Sequence, residues 1–216
     1  HSLRRRQRQM CIRDRFKMAI FNPLLISIIA VIAVLCLLHI DYDTYNQSGQ
    51  YISYLLTPAT VCLAVPLYQQ MELLKKNLKA VVIGIVSGVL ASLVSVLILA
   101  RLFRLSHEQY VTLLPKSITT AIGMGVSEEL GGIVTITVAV IIITGVLGNM
   151  VAETVIKLAH IEEPIAKGLA LGTSSHAIGT AKAMELGEIE GAMSSLAIAV
   201  AGLLTVVGAS VFAQFM

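Results

Sequence analysis

The residues best able to do chemistry lie in two short polar stretches within otherwise apolar sequence. The first directly follows Pro115 and contains one cation and three hydroxyls, which belong to Lys116, Ser117, Thr119 and Thr120. A lysine ammonium can bind a carboxylate, and hydroxyls beside it can donate hydrogen bonds. The alternative is a snorkelling lysine at a helix end, with hydroxyls bonded to their own backbone. The helix-breaking proline favours the binding interpretation.

The second polar stretch runs from Gly172 to Lys182. Its candidate binding residues are Thr173, Ser174, Ser175, His176 and Thr180. His176 could relay a proton or bind an anion near neutral pH, and a purely structural histidine is an equal alternative. Its neighbour Ser175 suggests hydrolase chemistry as an alternative. However, adjacency in sequence does not bring the histidine base into contact with the serine nucleophile, and no Gly-x-Ser-x-Gly motif is present. We therefore expect no enzymatic activity.

A third break surrounds Pro58 and Pro66, and its hydroxyls on Thr57 and Thr60 are further candidate ligands. It carries no charge, so a proline kink in a packing helix is an equal interpretation. The three cysteines have neither Cys-x-x-Cys nor Cys/His spacing. The sequence predicts no metal site and no cofactor.

The composition predicts the elements that must position these residues. Of 216 residues, 56% are hydrophobic and only 13% are charged, and the mean hydropathy is +0.83. A soluble domain of this size cannot hide so much apolar surface. The fold class expected is therefore an all-α, polytopic helical membrane protein.

Apolar runs divide the chain into plain and interrupted membrane segments. The four plain segments cover about residues 21–40, 80–102, 133–156 and 192–215. The three interrupted segments cover about residues 51–68, 110–126 and 165–184. Lys75, Lys76 and Lys79 place one loop in the cytoplasm, and the acidic loop at 41–50 suits the outside. Lys157 returns to the cytoplasm only if the segment at 110–126 is re-entrant.

Two of the interrupted segments share a pattern that indicates an internal repeat. Ala121-Ile122-Gly123, five residues and then Glu129-Leu130-Gly131 recur as Ala177-Ile178-Gly179, five residues and then Glu185-Leu186-Gly187. Coincidence is the alternative, because these residue types are common here. Paired, interrupted segments in corresponding positions are typical of transporter binding sites.

The first 17 residues form a basic leader that we interpret as non-native or disordered. Its arginine run does not continue into a basic face, so no nucleic-acid partner is predicted. The functional domain expected is residues 18–216.

At these motifs the chain resembles the LrgB/CidB family, also called the YohK type. The matching stretches are Asn22-Pro23-Leu24-Leu25-Ile26-Ser27, Thr57-Pro58-Ala59-Thr60-Val61, Ala64-Val65-Pro66-Leu67-Tyr68, Leu114-Pro115-Lys116-Ser117, Gly168-Leu169-Ala170-Leu171-Gly172-Thr173, Ser175-His176-Ala177-Ile178-Gly179-Thr180-Ala181 and Glu190-Gly191-Ala192-Met193-Ser194. Two departures stand out. Ala121 occupies a position where the family usually carries proline, and the basic leader replaces a membrane segment.

The resemblance implies a bacterial cytoplasmic (inner) membrane protein that works beside a small holin-like LrgA/CidA protein. Such proteins are described as modulators of murein hydrolase export and cell lysis, whereas plant relatives move glycolate and glycerate and some bacterial pairs are linked to pyruvate. The lysine and hydroxyls independently suit a small carboxylate. The sequence therefore favours a transporter of short 2-oxo or 2-hydroxy acids, with regulation of the holin-like partner as the alternative; a homodimer is possible.

Overall fold

A computed structural model describes residues 23–55, 58, 62 and 64–216 of the chain, and its regular structure there is entirely helical. The chain divides into two compact units, residues 1–60 and 61–216. The basic leader and the candidate ligands Thr57 and Thr60 lie outside the described residues.

The described part of the first unit consists of α1 (Pro23–Leu37) and α2 (Tyr42–Ser53). Helix α1 follows the first predicted span. Helix α2 is a correction, because the acidic stretch at 41–50 was expected to be a loop and is helical from Tyr42 onward. This stretch contains no proline, so its polarity alone did not distinguish a loop from a polar helix.

The second unit begins with two short helices, α3 and α4, and continues with longer elements. The helices are α3 (Ala64–Gln69), α4 (Met71–Lys76), α5 (Leu78–Leu102), α6 (His107–Leu113), α7 (Thr120–Glu129), α8 (Val134–Leu158), α9 (Pro164–Leu186) and α10 (Glu188–Phe212), followed by a 3₁₀ turn (Ala213–Phe215).

Within the described residues, three helices are long and apolar enough to cross a membrane: α5, α8 and α10 with its 3₁₀ extension. Each of the three α-helices has 25 residues, or about 37 Å at 1.5 Å per residue, against about 30 Å of bilayer core. Their outward positions are large and apolar, as at Ile83 and Leu203, both 68% exposed. The prediction of a helical membrane protein is confirmed.

Helix α5 packs through a single stripe of buried residues, which are Val81, Ile85, Val89, Leu93, Val96 and Ala100. Their spacing of three to four residues places them on one helix face. The facing helix α10 contributes small residues, among them Ala197 and Ala201, and small residues allow membrane helices to approach closely.

Helices α6 and α7, with the turn between them, form a re-entrant hairpin, here named hairpin A. Their lengths of 7 and 10 residues give about 10 and 15 Å, too short to cross. Hairpin A starts where α10 ends, since the Tyr110 hydroxyl donates to the Phe212 carbonyl at 2.9 Å. It also returns there, because the Ile133 N–H, just before α8, donates to Thr112 Oγ1 at 2.8 Å.

Helix α9 forms a second hairpin, named hairpin B, whose turn is a break in helical geometry at Ser175 and His176. The backbone folds back there, so that Gly179 of the second arm lies against Leu171 of the first. Helix α10 then runs alongside the first arm, with Gly168 against Glu190 and Gly172 against Ser194.

The two hairpins enter from opposite ends of the spanning helices. A β-carbon on Gly84 of α5 would lie 2.8 Å from Leu169 Cδ1, which places the start of hairpin B beside the start of α5. Hairpin A begins beside the end of α5, where the Arg101 guanidinium donates to the Phe215 carbonyl at 2.9 Å. We call the end where α5 begins, after Lys75 and Lys76, the near face, and the opposite end the far face.

The element order supports the predicted internal repeat. A 25-residue helix precedes each hairpin, α5 before hairpin A and α8 before hairpin B. The interval from Ala121 to Ala177 is the same as that from Leu78 to Val134, the first residues of α5 and α8. Because α5 and α8 run in opposite directions, the two halves form an inverted repeat.

Candidate functional site

The tips of the two hairpins meet at a groove of about 810 Å³ that runs along α5. Its polar lining comes from three places: α5 with the residue before it, the tip of hairpin A, and the first arm of hairpin B with the residue before it. These polar residues are Asn77, Ser87, Ser92, Ser95, Lys116, Ser117, Glu163, Thr173 and Ser174. The groove therefore reaches from the start of α5 to Ser95, well past the middle of that helix.

Lys116 and Ser117 occupy the turn of hairpin A. The chain turns tightly here, with the Lys116 N–H donating to Leu113 O and the Ile118 N–H to Pro115 O. The Lys116 ammonium donates to Ser117 Oγ at 3.0 Å. No described carboxylate forms an ion pair with it. A half-buried ammonium without a counter-charge gains free energy from binding an anion.

Ser92 extends this polar group onto α5, and the sequence interpretation did not include it. Its Oγ lies 3.0 Å from Ser117 Oγ. Its helical neighbour Ser95 donates to the Ser92 carbonyl at 2.7 Å. The available signal was a row of serines inside a strongly apolar spanning helix, but such serines also occur as packing residues. Only the fold shows that these face Lys116.

The opposite wall is the end of the first arm of hairpin B. The buried Thr173 hydroxyl donates to Leu169 O at 2.8 Å, so it offers an incoming ligand mainly its lone pairs. Ser174 is exposed, and its Oγ lies 3.1 Å from Ser175 Oγ. This wall is formed by the C-terminal end of a half-helix, where backbone carbonyls lose their intrahelical partners.

Ser175, His176 and Thr180 lie behind the groove and hold hairpin B against its neighbours. His176 is 4% exposed, and its Nε2 lies 3.0 Å from the Ile141 carbonyl of α8. Thr180 donates to the His176 carbonyl at 3.1 Å, and its Oγ1 lies 2.7 Å from Ser194 Oγ of α10.

The backbone at His176 has φ 42° and ψ −136°. Such a conformation costs a non-glycine residue about 1–3 kcal/mol. Its surroundings hold it in place, because Gly145 of α8 leaves room for the ring and Gly148 for Ser175. The neighbouring Asn149 amide donates to Ile178 O at 3.0 Å. Contacts from α8 therefore maintain the break.

The remaining candidates are Thr119 and Thr120, at the start of α7. Thr119 has N-cap backbone geometry but makes no side-chain capping bond, and neither threonine lines the groove. The structure thus brings together Lys116, Ser117, Thr173 and Ser174, and places the other described candidates outside the groove. A binding role for any of them stays a prediction.

A charged cluster also lies on the second arm of hairpin B, and sequence reasoning did not single it out. The Lys182 ammonium donates to Glu153 Oε1 of α8 at 2.6 Å and to Glu185 Oε2 at 3.1 Å. The Lys182 side chain is only 10% exposed. The cluster links hairpin B to α8 outside the groove. In the described part of the chain, no group of three or more His, Cys, Asp or Glu is placed to hold a metal ion.

These features define a helical membrane protein in which two opposed hairpins meet at a mostly apolar groove that contains the polar group around Lys116. Residues 8–215 match the model of the LrgB-like family. The chain belongs to this family, as the motifs around Lys116 and His176 predicted. No solved structure matches it significantly.

Similar proteins are known from several bacteria. The holin-like protein CidB of Staphylococcus epidermidis is 42% identical over 185 residues, 86% of this chain and 81% of the relative. The CidB protein of Staphylococcus aureus is 39% identical over a stretch of the same length. The antiholin-like protein LrgB of Bacillus mycoides is 39% identical over 196 residues, 91% of this chain and 85% of the relative.

Proposed function

We propose that this protein carries small monocarboxylates across the bacterial cytoplasmic membrane as a multi-pass carrier. The observation that supports this is the Lys116 ammonium, which lies at the inner end of the groove among hydroxyls and has no described counter-charge. An anion that binds there can accept hydrogen bonds from the ammonium and from the Ser117 and Ser92 hydroxyls, and its charge strengthens each of them. We propose no enzymatic activity.

The charge inventory of the groove favours ligands with one negative charge. Among the described residues that line the groove, Lys116 is the one cation, and the carboxylate of Glu163 lies at the near-face end. A dicarboxylate would leave one charge unpaired in a mostly apolar wall, which costs free energy. Pyruvate, glycolate and glycerate each carry one carboxylate, so these short 2-oxo and 2-hydroxy acids fit the proposal.

The relatives' names favour a second candidate function more directly than they favour carboxylate transport. CidB is named holin-like and LrgB antiholin-like. On this hypothesis the chain regulates a small holin-like LrgA/CidA-type protein, and through it murein hydrolase export and lysis. Its essential surfaces would then be lipid-facing helix faces that meet a partner, or a second copy of the chain in a homodimer, and the groove would be dispensable.

Uptake of labelled pyruvate and glycolate into liposomes that contain the full chain tests the first candidate. Lys116→Met preserves the length of the side chain but removes the charge. We expect it to weaken apparent affinity roughly 10- to 100-fold, the effect of losing a charge-assisted hydrogen bond. The matched control is Lys157→Met, since the Lys157 side chain is 78% exposed at the end of α8 and should leave uptake unchanged.

Saturable uptake that is equal in the wild type and Lys116→Met would count against the Lys116 site, because the ligand would then bind elsewhere. No uptake by correctly folded protein, with or without a holin-like partner in the liposomes, would count against the carrier itself. A protein that shows no uptake but still changes leakage through the co-reconstituted partner would support the regulatory function.

A further inference from the structure

The two halves of the inverted repeat are packed differently. A groove lined by α5 and the first arm of hairpin B extends from Asn77 at the near face to Ser92 and Ser95, beside the place where Gly84 and Gly88 of α5 approach Leu169 and Thr173. The repeat makes α8 equivalent to α5, and the first arm of hairpin A equivalent to that of hairpin B. The corresponding place at the far face therefore lies between α6 and the start of α8.

In this structure the far-face position is tightly closed. Tyr110 and Val111 are 0% exposed and Thr112 is 2% exposed. The buried Thr137 hydroxyl of α8 donates to the Thr112 carbonyl at 2.9 Å and lies 2.7 Å from Ser127 Oγ of α7. One side chain thus connects α8 to both arms of hairpin A.

We infer that hairpin A is the gate between the Lys116 site and the far face. When its first arm separates from α8, a second groove opens from the far face to the same site, while the present groove along α5 closes. This inference rests on the proposed carrier function, because a gate has a role only if a substrate crosses the membrane. It follows from the repeat, because halves of equal length and opposite direction can exchange their two packings.

The location of Lys116 agrees with this exchange. It lies in the turn of hairpin A, at the end of the present groove. The closed far-face path between α6 and the start of α8 ends at the same turn. A small anion held there would reach either face without leaving the lysine. The Thr137 hydroxyl joins α8 to both arms of hairpin A across the closed path, so a substitution there should change how often the path opens.

Side-specific labelling of a cysteine in the groove tests the gate. We would introduce Ser92→Cys into a chain whose native Cys11, Cys36 and Cys62 are replaced by serine. The protein in liposomes is then treated with a membrane-impermeant, positively charged methanethiosulfonate reagent at one face at a time. We expect rapid labelling from the near face and slow but measurable labelling from the far face.

Adding Thr137→Val should raise the rate of far-face labelling roughly five-fold, the shift in an opening equilibrium caused by losing one net hydrogen bond. Thr137→Ser keeps the hydroxyl and should label at the original rate. The control is Thr205→Val, the same change at a threonine of α10 that is 5% exposed, and it should have no effect. If Thr137→Val does not fold, Ser127→Ala weakens the same cluster from α7.

Far-face labelling that stays at background in the folded Thr137→Val protein would overturn the inference, as would an equal increase with Thr205→Val. Labelling does not require a substrate, so the two proposals can fail separately. Gated labelling without uptake would refute only the carrier function. Uptake together with a far-face labelling rate that is unchanged by Thr137→Val would refute only the gate.

Discussion

At the scale of single residues, Lys116 and His176 lie in similar sequence surroundings and have different environments. Both belong to a polar stretch at a break in an apolar segment. Lys116 lines the groove, whereas the His176 ring is buried against α8 and its Nε2 is hydrogen-bonded to the Ile141 carbonyl. We therefore expect Lys116 to contact the ligand and His176 to support the turn of hairpin B.

Substitutions of His176 should separate these roles. His176→Ala removes the hydrogen bond to Ile141 O and leaves a cavity beside Gly145, so we expect a lower melting temperature and reduced uptake. His176→Gln can still donate to the carbonyl and should recover much of both. Thermal unfolding in detergent and uptake in liposomes measure the two effects. A stable His176→Gln protein without uptake would instead support a proton-transfer role for the imidazole.

At the scale of elements, glycines determine how closely hairpin B approaches its neighbours. A β-carbon on Gly172 would lie 2.7 Å from Ala197 Cβ and 3.0 Å from Ser194 Cα of α10. These atoms belong to the backbone or are attached directly to it, so they cannot move aside without shifting α10. By contrast, a β-carbon on Gly125 of α7 meets nothing within 4 Å.

Gly172→Ala should consequently destabilise the protein by about 1–3 kcal/mol, the usual cost of overpacking. Gly125→Ala is the matched control. It should be neutral or stabilising by up to about 1 kcal/mol, because alanine is the better helix former. Chemical unfolding in detergent measures both. Equal stability of the two variants would show that hairpin B does not pack on α10 as described here.

At the scale of the whole molecule, the opposed hairpins determine which face each connection reaches. Hairpin A begins and ends at the far face, and hairpin B begins and ends at the near face. If both interrupted segments crossed the membrane completely, the two ends of each would lie on opposite faces. The hairpin arrangement therefore makes a prediction that does not depend on any substrate.

Four single-cysteine variants, each treated with an impermeant maleimide, should fall into two pairs, and each pair should be labelled from one face of the membrane. In a chain without native cysteines, Ser106→Cys and Glu129→Cys flank hairpin A and should be labelled from one face. Glu162→Cys and Glu188→Cys flank hairpin B and should be labelled from the other. Labelling of Ser106→Cys and Glu129→Cys from opposite faces would rule out the re-entrant path of hairpin A. The positive-inside rule further predicts that the Glu162 and Glu188 positions are cytoplasmic.

The sequence by itself determined the properties that depend on local composition. Apolar runs long enough for a bilayer identified α5, α8 and α10, because hydropathy acts residue by residue along a helix. Breaks were predicted where Pro115 and the Gly172–Thr180 stretch interrupt those runs, and the repeated Ala-Ile-Gly and Glu-Leu-Gly motifs indicated the repeat.

Only the tertiary structure decided which polar residues face one another. Ser92 lies in a span that hydropathy treats as uniformly apolar, and only the folding of hairpin A brings Ser117 to its side. His176 and Thr180 belong to the same polar stretch as the groove residues Thr173 and Ser174 but are turned toward α8 and α10. The direction of a side chain at a break depends on distant packing contacts, and neighbouring residues in the sequence do not specify them.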